Sequence, residues 1–383
     1  MSAASQRASI GIVLHDLGLG GTERIAIRLA NHWVGLGARV EIFCGSREGF
    51  LAGMLDARIH VTEPATRITR RLGSRLRLAN AAGRHFLEHP VDICFVPGNF
   101  HWPVVPALAQ LPAPVRPLVV AQVSAALDKP QRGRLRQRLF EMRMRRLLQG
   151  ADGVVCMSHR ARDQANRILG RNVATRIPLP ALENEVGPSS VAKRCRTLLA
   201  AGRLVPEKGF DVLIEAFARM DDATARLIIV GSGPEEVRLR RKVQQLGLVG
   251  RVQLPGAVAN IRPWLDQARA LVLSSRFEGF GAVLLEALAA GRQVITTQCT
   301  HAIEELGIGG NLGSVVPVAD VPALTRAMEV ALRESPPEPA RLAAVVADYR
   351  IESGAREYLR AFERWNVSGA ATESDSLPAS LAI

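Results

Sequence analysis

The sequence predicts an α/β protein of two doubly wound, mostly parallel domains, and three observations predict it. The chain has 383 residues, against roughly 100 to 200 for a typical domain. Short aliphatic runs alternate with helical patterns almost throughout, the order expected of βαβ units. Near the middle the text changes to Ile177-Pro178-Leu179-Pro180 and then Gly187-Pro188-Ser189-Ser190, the composition of a connector.

In the first half, Ile10 to Leu14 reads as a strand that passes through Gly18-Leu19-Gly20-Gly21 into a helix from Thr22 to Gly35. Further strands are expected at Val40 to Cys44, Asp92 to Val96, Leu118 to Val123 and Gly153 to Met157. After the connector a second series follows: Thr197 to Ala201, Arg226 to Val230, Arg251 to Leu254, Ala270 to Leu273 and Gln293 to Thr297. Helical segments between them include Asp211 to Met220, Pro234 to Leu246 and Gly281 to Ala290. The expected domains are therefore residues 1–180 and 181–350. A helix over 351–367 is expected to cross back to the first domain, and 368–383, small and polar, is expected to be a disordered tail.

Composition narrows the function. With 48% hydrophobic and 22% charged residues, the chain buries a large aliphatic core, which excludes global disorder. Lys and Arg number 49 against 36 Asp and Glu, a net charge of +13, which favours a polyanionic partner or an anionic surface. The five cysteines are widely spaced, without a CxxC pair, and read as reduced core residues. No run is apolar and long enough to cross a bilayer, so the expected location is cytoplasmic, with attachment to the inner face of a membrane left open.

Ligands of an open parallel sheet bind beyond the carboxyl ends of its strands, so the loops there come first. Gly202-Arg203-Leu204-Val205-Pro206-Glu207-Lys208-Gly209 places two cations at the start of a helix, where an anion is favoured. Arg203 offers a planar fork and Lys208 a point charge, a pair suited to a diphosphate. Gly231-Ser232-Gly233-Pro234 lets a ligand approach the backbone, although no third glycine completes a dinucleotide fingerprint. The sharpest loop is Glu278-Gly279-Phe280-Gly281-Ala282-Val283-Leu284-Leu285-Glu286. Its two carboxylates can accept hydrogen bonds from vicinal hydroxyls, while the amides around Phe280 to Ala282 face phosphate or sugar oxygens. For each loop a solvated surface is the competing reading.

Taken together, these segments resemble the donor site of the retaining family 4 glycosyltransferases, which have the GT-B fold, and Gly20-Gly21-Thr22-Glu23-Arg24 resembles that family's N-terminal loop. The resemblance covers about residues 10 to 365. It implies two facing Rossmann-like domains with an interdomain cleft, the acceptor held mainly by the first domain and a nucleotide-diphosphate sugar by the second. It further implies that Arg203 and Lys208 grip the pyrophosphate, Glu278 the transferred sugar, Glu286 the ribose, and Gly20 and Gly21 a phosphate or acceptor loop. Gly231, Gly279, Phe280, Gly281 and Ala282 would complete the donor pocket. Retention at the anomeric carbon and a glycan acceptor in polysaccharide assembly also come from the resemblance.

No Asp-x-Asp pair occurs, so neither a metal nor another cofactor is expected: fixed cations and helix amides would stabilise the leaving diphosphate. One departure stands out. The family often carries a functional histidine after a later strand, where this chain reads Val119-Val120-Ala121-Gln122-Val123-Ser124-Ala125. His101, and behind it His15, are the substitute candidates, against the commoner reading of a packed histidine. Arginines cluster over Arg67 to Arg84 and again over Arg132 to Arg146. In the second cluster Leu135, Leu139 and Met142 recur at helical spacing and are expected to pack inward. The arginines point to a lipid-linked or otherwise anionic acceptor or an anionic membrane. Two rival readings remain: a nucleic-acid-binding protein, disfavoured by the few aromatics, and a nucleotide-binding scaffold without turnover.

Overall fold

The computed structural model describes residues 8–18, 20–128, 133–183, 187–192 and 194–374, with side chains up to 367. The described residues up to Pro180 and from Ile351 onward form one compact unit, and Ala181–Arg350 form a second.

Unit 1 runs β1 (Ser9–Leu14), α1 (Gly21–Gly35), β2 (Arg39–Cys44), β3 (His60–Thr62), α2 (Ser74–Glu88), β4 (Ile93–Val96), α3 (Val104–Ala109), β5 (Leu118–Val123), α4 (Gly133–Leu148), β6 (Gly153–Cys156), α5 (His159–Leu169) and β7 (Ala174–Arg176). Its sheet has the order β3-β2-β1-β4-β5-β6-β7, and the pairs are parallel. Such strands are covered on both faces, which is why β1, Ser-Ile-Gly-Ile-Val-Leu, is buried at every position. Gly11 is there for a packing reason: a Cβ would stand 2.6 Å from the Phe86 ring of α2.

Unit 2 runs β8 (Thr197–Ala201), α6 (Phe210–Ala218), β9 (Arg226–Val230), α7 (Glu236–Gln245), β10 (Val252–Gly256), α8 (Arg262–Asp266), β11 (Ala270–Leu273), α9 (Ala282–Ala289), β12 (Gln293–Thr297), α10 (Ala302–Glu305), β13 (Gly313–Val316), α11 (Val321–Arg333) and α12 (Pro339–Ala344). The order β10-β9-β8-β11-β12-β13 repeats the pattern of unit 1: the first strand is central, the next two step outward on one side, and the chain then crosses to the other.

The last helix, α13 (Ile351–Ser374), belongs to unit 1. Its Tyr358 and Phe362 pack around Trp33 and Phe95, with ring centroids 5.4 to 6.4 Å apart. Trp33 Nε1 donates to Ala355 O at 3.1 Å, and Gln122 Nε2 donates to the buried Tyr358 hydroxyl at 2.8 Å. The helix runs on to Ser374, past Val367 where the sequence reading ended it. The start of the expected tail, Ser-Gly-Ala-Ala, contains alanines that favour helix, and residues 375–383 of that tail lie outside the described residues.

Three strands went unread in the sequence: β3, β7 and β13. All three lie at sheet edges and are three or four residues long. Half-exposed positions give them no continuous apolar run to recognise. All five cysteines are free, and four are buried.

Candidate functional site

Each sheet has one place where consecutive connections leave in opposite directions, and there the strand ends splay apart into a crevice. In unit 2 that place lies between β8 and β11, and the loops that leave it are the two cation- and carboxylate-bearing segments singled out in the sequence.

The loop after β8 is folded by glycine. A Cβ on Gly209, at φ 62°, would lie 2.2 Å from Ser274 O at the end of β11, so a bare backbone is needed where the two loops touch. Gly231, at φ 146°, is equally constrained, because its Cβ would sit 1.8 Å from Gly202 O. Pro206–Lys208 form a short 3-10 turn before Gly209 and α6, so Lys208 precedes the helix rather than opening it.

Lys208 and Glu278, 70 residues apart, meet in an ion pair through Nζ and Oε1. Their side chains are 19% and 11% exposed, which leaves the pair shielded yet reachable. Ser275 Oγ, fully buried, donates to the same Glu278 oxygen at 2.7 Å. Glu278 N donates to Cys299 O at 3.0 Å, and Thr300 Oγ1 donates to Gly279 O at 3.0 Å. The carboxylate is thereby held by Lys208 and Ser275, and the backbone that carries it by Cys299 and Thr300.

Arg203, on the β8 loop, is exposed and makes no side-chain bond among the described residues. Gly281, at φ 82°, caps α9, and the amides of Gly281 and Ala282 donate to no protein group among the described residues. Glu286, half-buried, begins the second turn of that helix. Phe280 is buried against Tyr349, with centroids 5.7 Å apart, so it contributes its backbone to the site while its ring packs.

Sequence reasoning missed the clamp that joins the two loops. Arg276 donates to Asp211 Oδ1 and Oδ2 at 3.0 and 2.9 Å and to Pro206 O at 2.5 Å, while its N–H donates to Glu207 O at 2.7 Å. Burial opposes ionisation of Asp211, but the Arg276 bonds and charge outweigh it and hold the carboxyl below its ordinary range. No sequence spacing announces a pair 65 residues apart.

The corresponding crevice of unit 1 lies between β1 and β4. His101 is 1% exposed. Its Nδ1 donates to Pro97 O at 2.6 Å, which fixes the tautomer, and its Nε2 accepts the His15 N–H at 3.0 Å. Burial pushes its pKa down to about 4. With both ring nitrogens engaged, His101 ties the loop after β4 to the loop after β1. Of the two readings the sequence offered for it, catalytic candidate and packed histidine, this burial and bonding accord with the second.

His15 is fully buried, edge-on to Phe100 at 5.4 Å. Its Nδ1 lies 3.4 Å from Asp16 Oδ2 in poor alignment, and neither ring nitrogen has a hydrogen-bond partner among the described residues. Arg70 bonds Asp16 at 2.6 Å and Glu23 at 2.7 Å. Burial raises the pKa of Asp16, but the adjacent His15 ring and the bonds and charge of Arg70 hold it well below the carboxylate range. Gly20 precedes α1 with Glu23 against it: a Cβ would lie 2.1 Å from Glu23 Oε2, whereas Gly21 faces open space.

Two parallel-sheet units of this strand order define a GT-B type of protein. Residues 19–179 match the family model Glycosyltransferase Family 4, and residues 195–334 match Glycosyl transferases group 1. The two segments take in most of the chain, which belongs to the group 1, family 4 glycosyltransferases. The chain is 35% identical over 132 residues to the lipopolysaccharide core biosynthesis glycosyltransferase LpsE of Rhizobium meliloti, covering 34% of this chain and 38% of LpsE. It is 32% identical over 181 residues to the exopolysaccharide phosphotransferase SCO2592 of Streptomyces coelicolor, covering 46% of this chain and 19% of that protein. The chain thus spans well under two thirds of these relatives. Anabaena Alr3699/HepE, solved in complex with UDP and glucose, superposes with a TM-score of 0.69 at 18% identity over 96% of this chain and 100% of that one. No helix among the described residues is long and apolar enough to cross a membrane.

Proposed function

We propose that the protein is a retaining, metal-independent glycosyltransferase that moves a hexose or N-acetylhexosamine from a nucleoside diphosphate to a hydroxyl of a glycan or lipid-linked acceptor. The observation that carries this reading is the convergence of Lys208 and Glu278 in the loops that precede α9, whose start has no side-chain cap, with Arg203 exposed on the same loop as Lys208.

The chemistry follows from those groups. As the anomeric carbon–oxygen bond breaks, the electron pair goes to the diphosphate, and the growing charge meets Arg203, Lys208 and the amides of Gly281 and Ala282. Fixed donors of this kind need no reorganisation during reaction. Glu278, oriented by Ser275, accepts hydrogen bonds from hydroxyls of the departing sugar and keeps the Lys208 ammonium in place. Glu286 accepts from the ribose. The acceptor oxygen then bonds to the anomeric carbon from the face the diphosphate leaves, and its proton passes to a diphosphate oxygen. That route needs no histidine, which accords with a His101 already engaged at both nitrogens.

The test is thermal unfolding with UDP, GDP and ADP and their sugars, followed by a transfer assay with the nucleotide that stabilises best. A ligand that binds only the native state raises the midpoint, and the complex of Anabaena Alr3699/HepE makes UDP the first choice. Stabilisation that disappears in Lys208→Ala, together with release of free diphosphate nucleotide on turnover, supports the reading. Nucleotide binding without any transfer would leave a scaffold, and no stabilisation by any nucleotide would end the proposal.

A further inference from the structure

Helix α4 carries apolar side chains on the wrong side for a soluble helix. Leu135, Leu139 and Met142 are 73%, 52% and 61% exposed, which overturns the expectation that they pack inward. At about 100° per residue, Leu139, Met142 and Arg146 fall within about 40° of Leu135. The side chains that do meet the core, Met144 and Leu148, fall on the far side, at about 180° and 220°. An outward leucine–methionine stripe therefore runs opposite the buried one.

Arginines border that stripe on both sides. Arg136 and Arg143 lie about 80° to 100° to one side, and Arg134, Arg138 and Arg145 about 60° to 100° to the other. None of these arginines makes an ion pair or side-chain hydrogen bond among the described residues. The one acidic residue of the helix, Glu141, accepts a bond from Gln137 at 2.9 Å. The other arginine cluster behaves differently: Arg67 and Arg70 are taken up by Glu48, Glu63, Asp16 and Glu23. Only its end at the start of α2 resembles α4, with Leu72 and Leu76 exposed beside Arg75. Arg75 lies over the Phe100 ring at 4.1 Å and feels the charge of Arg143.

We infer that the outward face of α4 docks the protein on an anionic bilayer, the helix lying in the plane of the interface with Leu135, Leu139 and Met142 among the acyl chains and the flanking arginines at the phosphates. An apolar stripe bordered by arginine is the pattern of interfacial helices, and arginine stems reach outward from such a stripe to headgroups. Pairing of the stripe with a second copy would bring arginines against arginines with a single carboxylate to offset them. A nucleic acid would use the arginines and leave the leucines in water.

The test is flotation of the intact chain with vesicles of phosphatidylcholine alone and of phosphatidylcholine mixed with phosphatidylglycerol. Two combined variants are compared with it: Leu135→Gln, Leu139→Gln and Met142→Gln, and Arg136→Gln, Arg138→Gln, Arg143→Gln and Arg145→Gln. All seven positions are exposed, so both variants should keep the parent's melting midpoint and nucleotide response, which separates this test from that of the transfer reaction. The expected result is flotation with the mixed vesicles only, weakened roughly tenfold or more by either variant, with added salt weakening the parent. A parent that stays at the bottom of the gradient overturns the inference. So does flotation unaffected by the apolar variant, binding to generic duplex DNA in place of vesicles, or self-association that the apolar variant abolishes while vesicles go unbound.

Discussion

At the β1/β4 boundary of unit 1 His101 is engaged at both nitrogens and Arg70 is shared between Asp16 and Glu23, and of the named polar groups there the buried His15 ring alone lacks a hydrogen-bond partner among the described residues. At the β8/β11 boundary of unit 2 the same topology leaves Arg203 exposed, Lys208 and Glu278 paired but reachable, and the first amides of α9 without acceptors among the described residues. One crossing point is laced together by its own side chains and the other holds charge ready for a ligand. Strand order creates the crevice, and loop composition decides what it is for.

The largest expected effect tests the open crevice. Lys208→Ala removes a cation aimed at the leaving group and should lower kcat by about a hundred- to a thousandfold with little change in melting midpoint, read by nucleotide release. If the midpoint collapses along with the rate, the ion pair is structural and the contrast with unit 1 fails.

Second comes the backbone that shapes it. Gly231→Ala sets a Cβ against Gly202 O and forces a positive φ on alanine, and it should cost roughly 3 kcal/mol in urea unfolding. Gly21→Ala, with open space around it, should change stability by only a few tenths.

The closed crevice should show in acid. Burial depresses His101, so the unfolded chain binds its proton at a higher pH than the native one does, and stability falls as pH drops through the window between about 6.5 and 4. The loss should reach about 2 kcal/mol by pH 5 in denaturant titrations, and His101→Gln should flatten that slope while leaving transfer near the parent rate. A large fall in kcat with unchanged binding would return His101 to the chemistry.

The smallest effect concerns Glu286. Glu286→Gln keeps the shape and loses charge-assisted acceptance of a hydroxyl, so KM for the nucleotide sugar should rise about tenfold, near 1.4 kcal/mol, with kcat retained.

Much of this was legible in the sequence because it rests on periodicity. The buried strands, the connector and the two unit-2 loops all announce themselves through runs of aliphatic residues and glycine. The pairing of Lys208 with Glu278 follows from topology, since β8 and β11 are neighbours although 68 residues separate Ala201 from Ala270 at the nearest named ends. What stayed hidden depends on facing direction. Leu135, Leu139 and Met142 have the spacing of a core stripe, but helical period cannot say which of two apolar stripes meets the sheet. His101 looked available because its partners are a carbonyl and an amide, which every sequence has and none displays.

The return of the last helix to unit 1 bears on how the protein is made. Ala355, Tyr358, Ala361 and Phe362 are all but inaccessible, and Gly153 leaves room for the Trp365 ring, which would lie 2.3 Å from a Cβ there. The unit that begins at the amino terminus is thus short of an aromatic wall until the ribosome has delivered residues beyond 350, whereas the second unit emerges whole. Birth order and finishing order are reversed, and the nascent first unit must wait, with Trp33 and Phe95 unsheltered, until the helix that follows the second unit has been made.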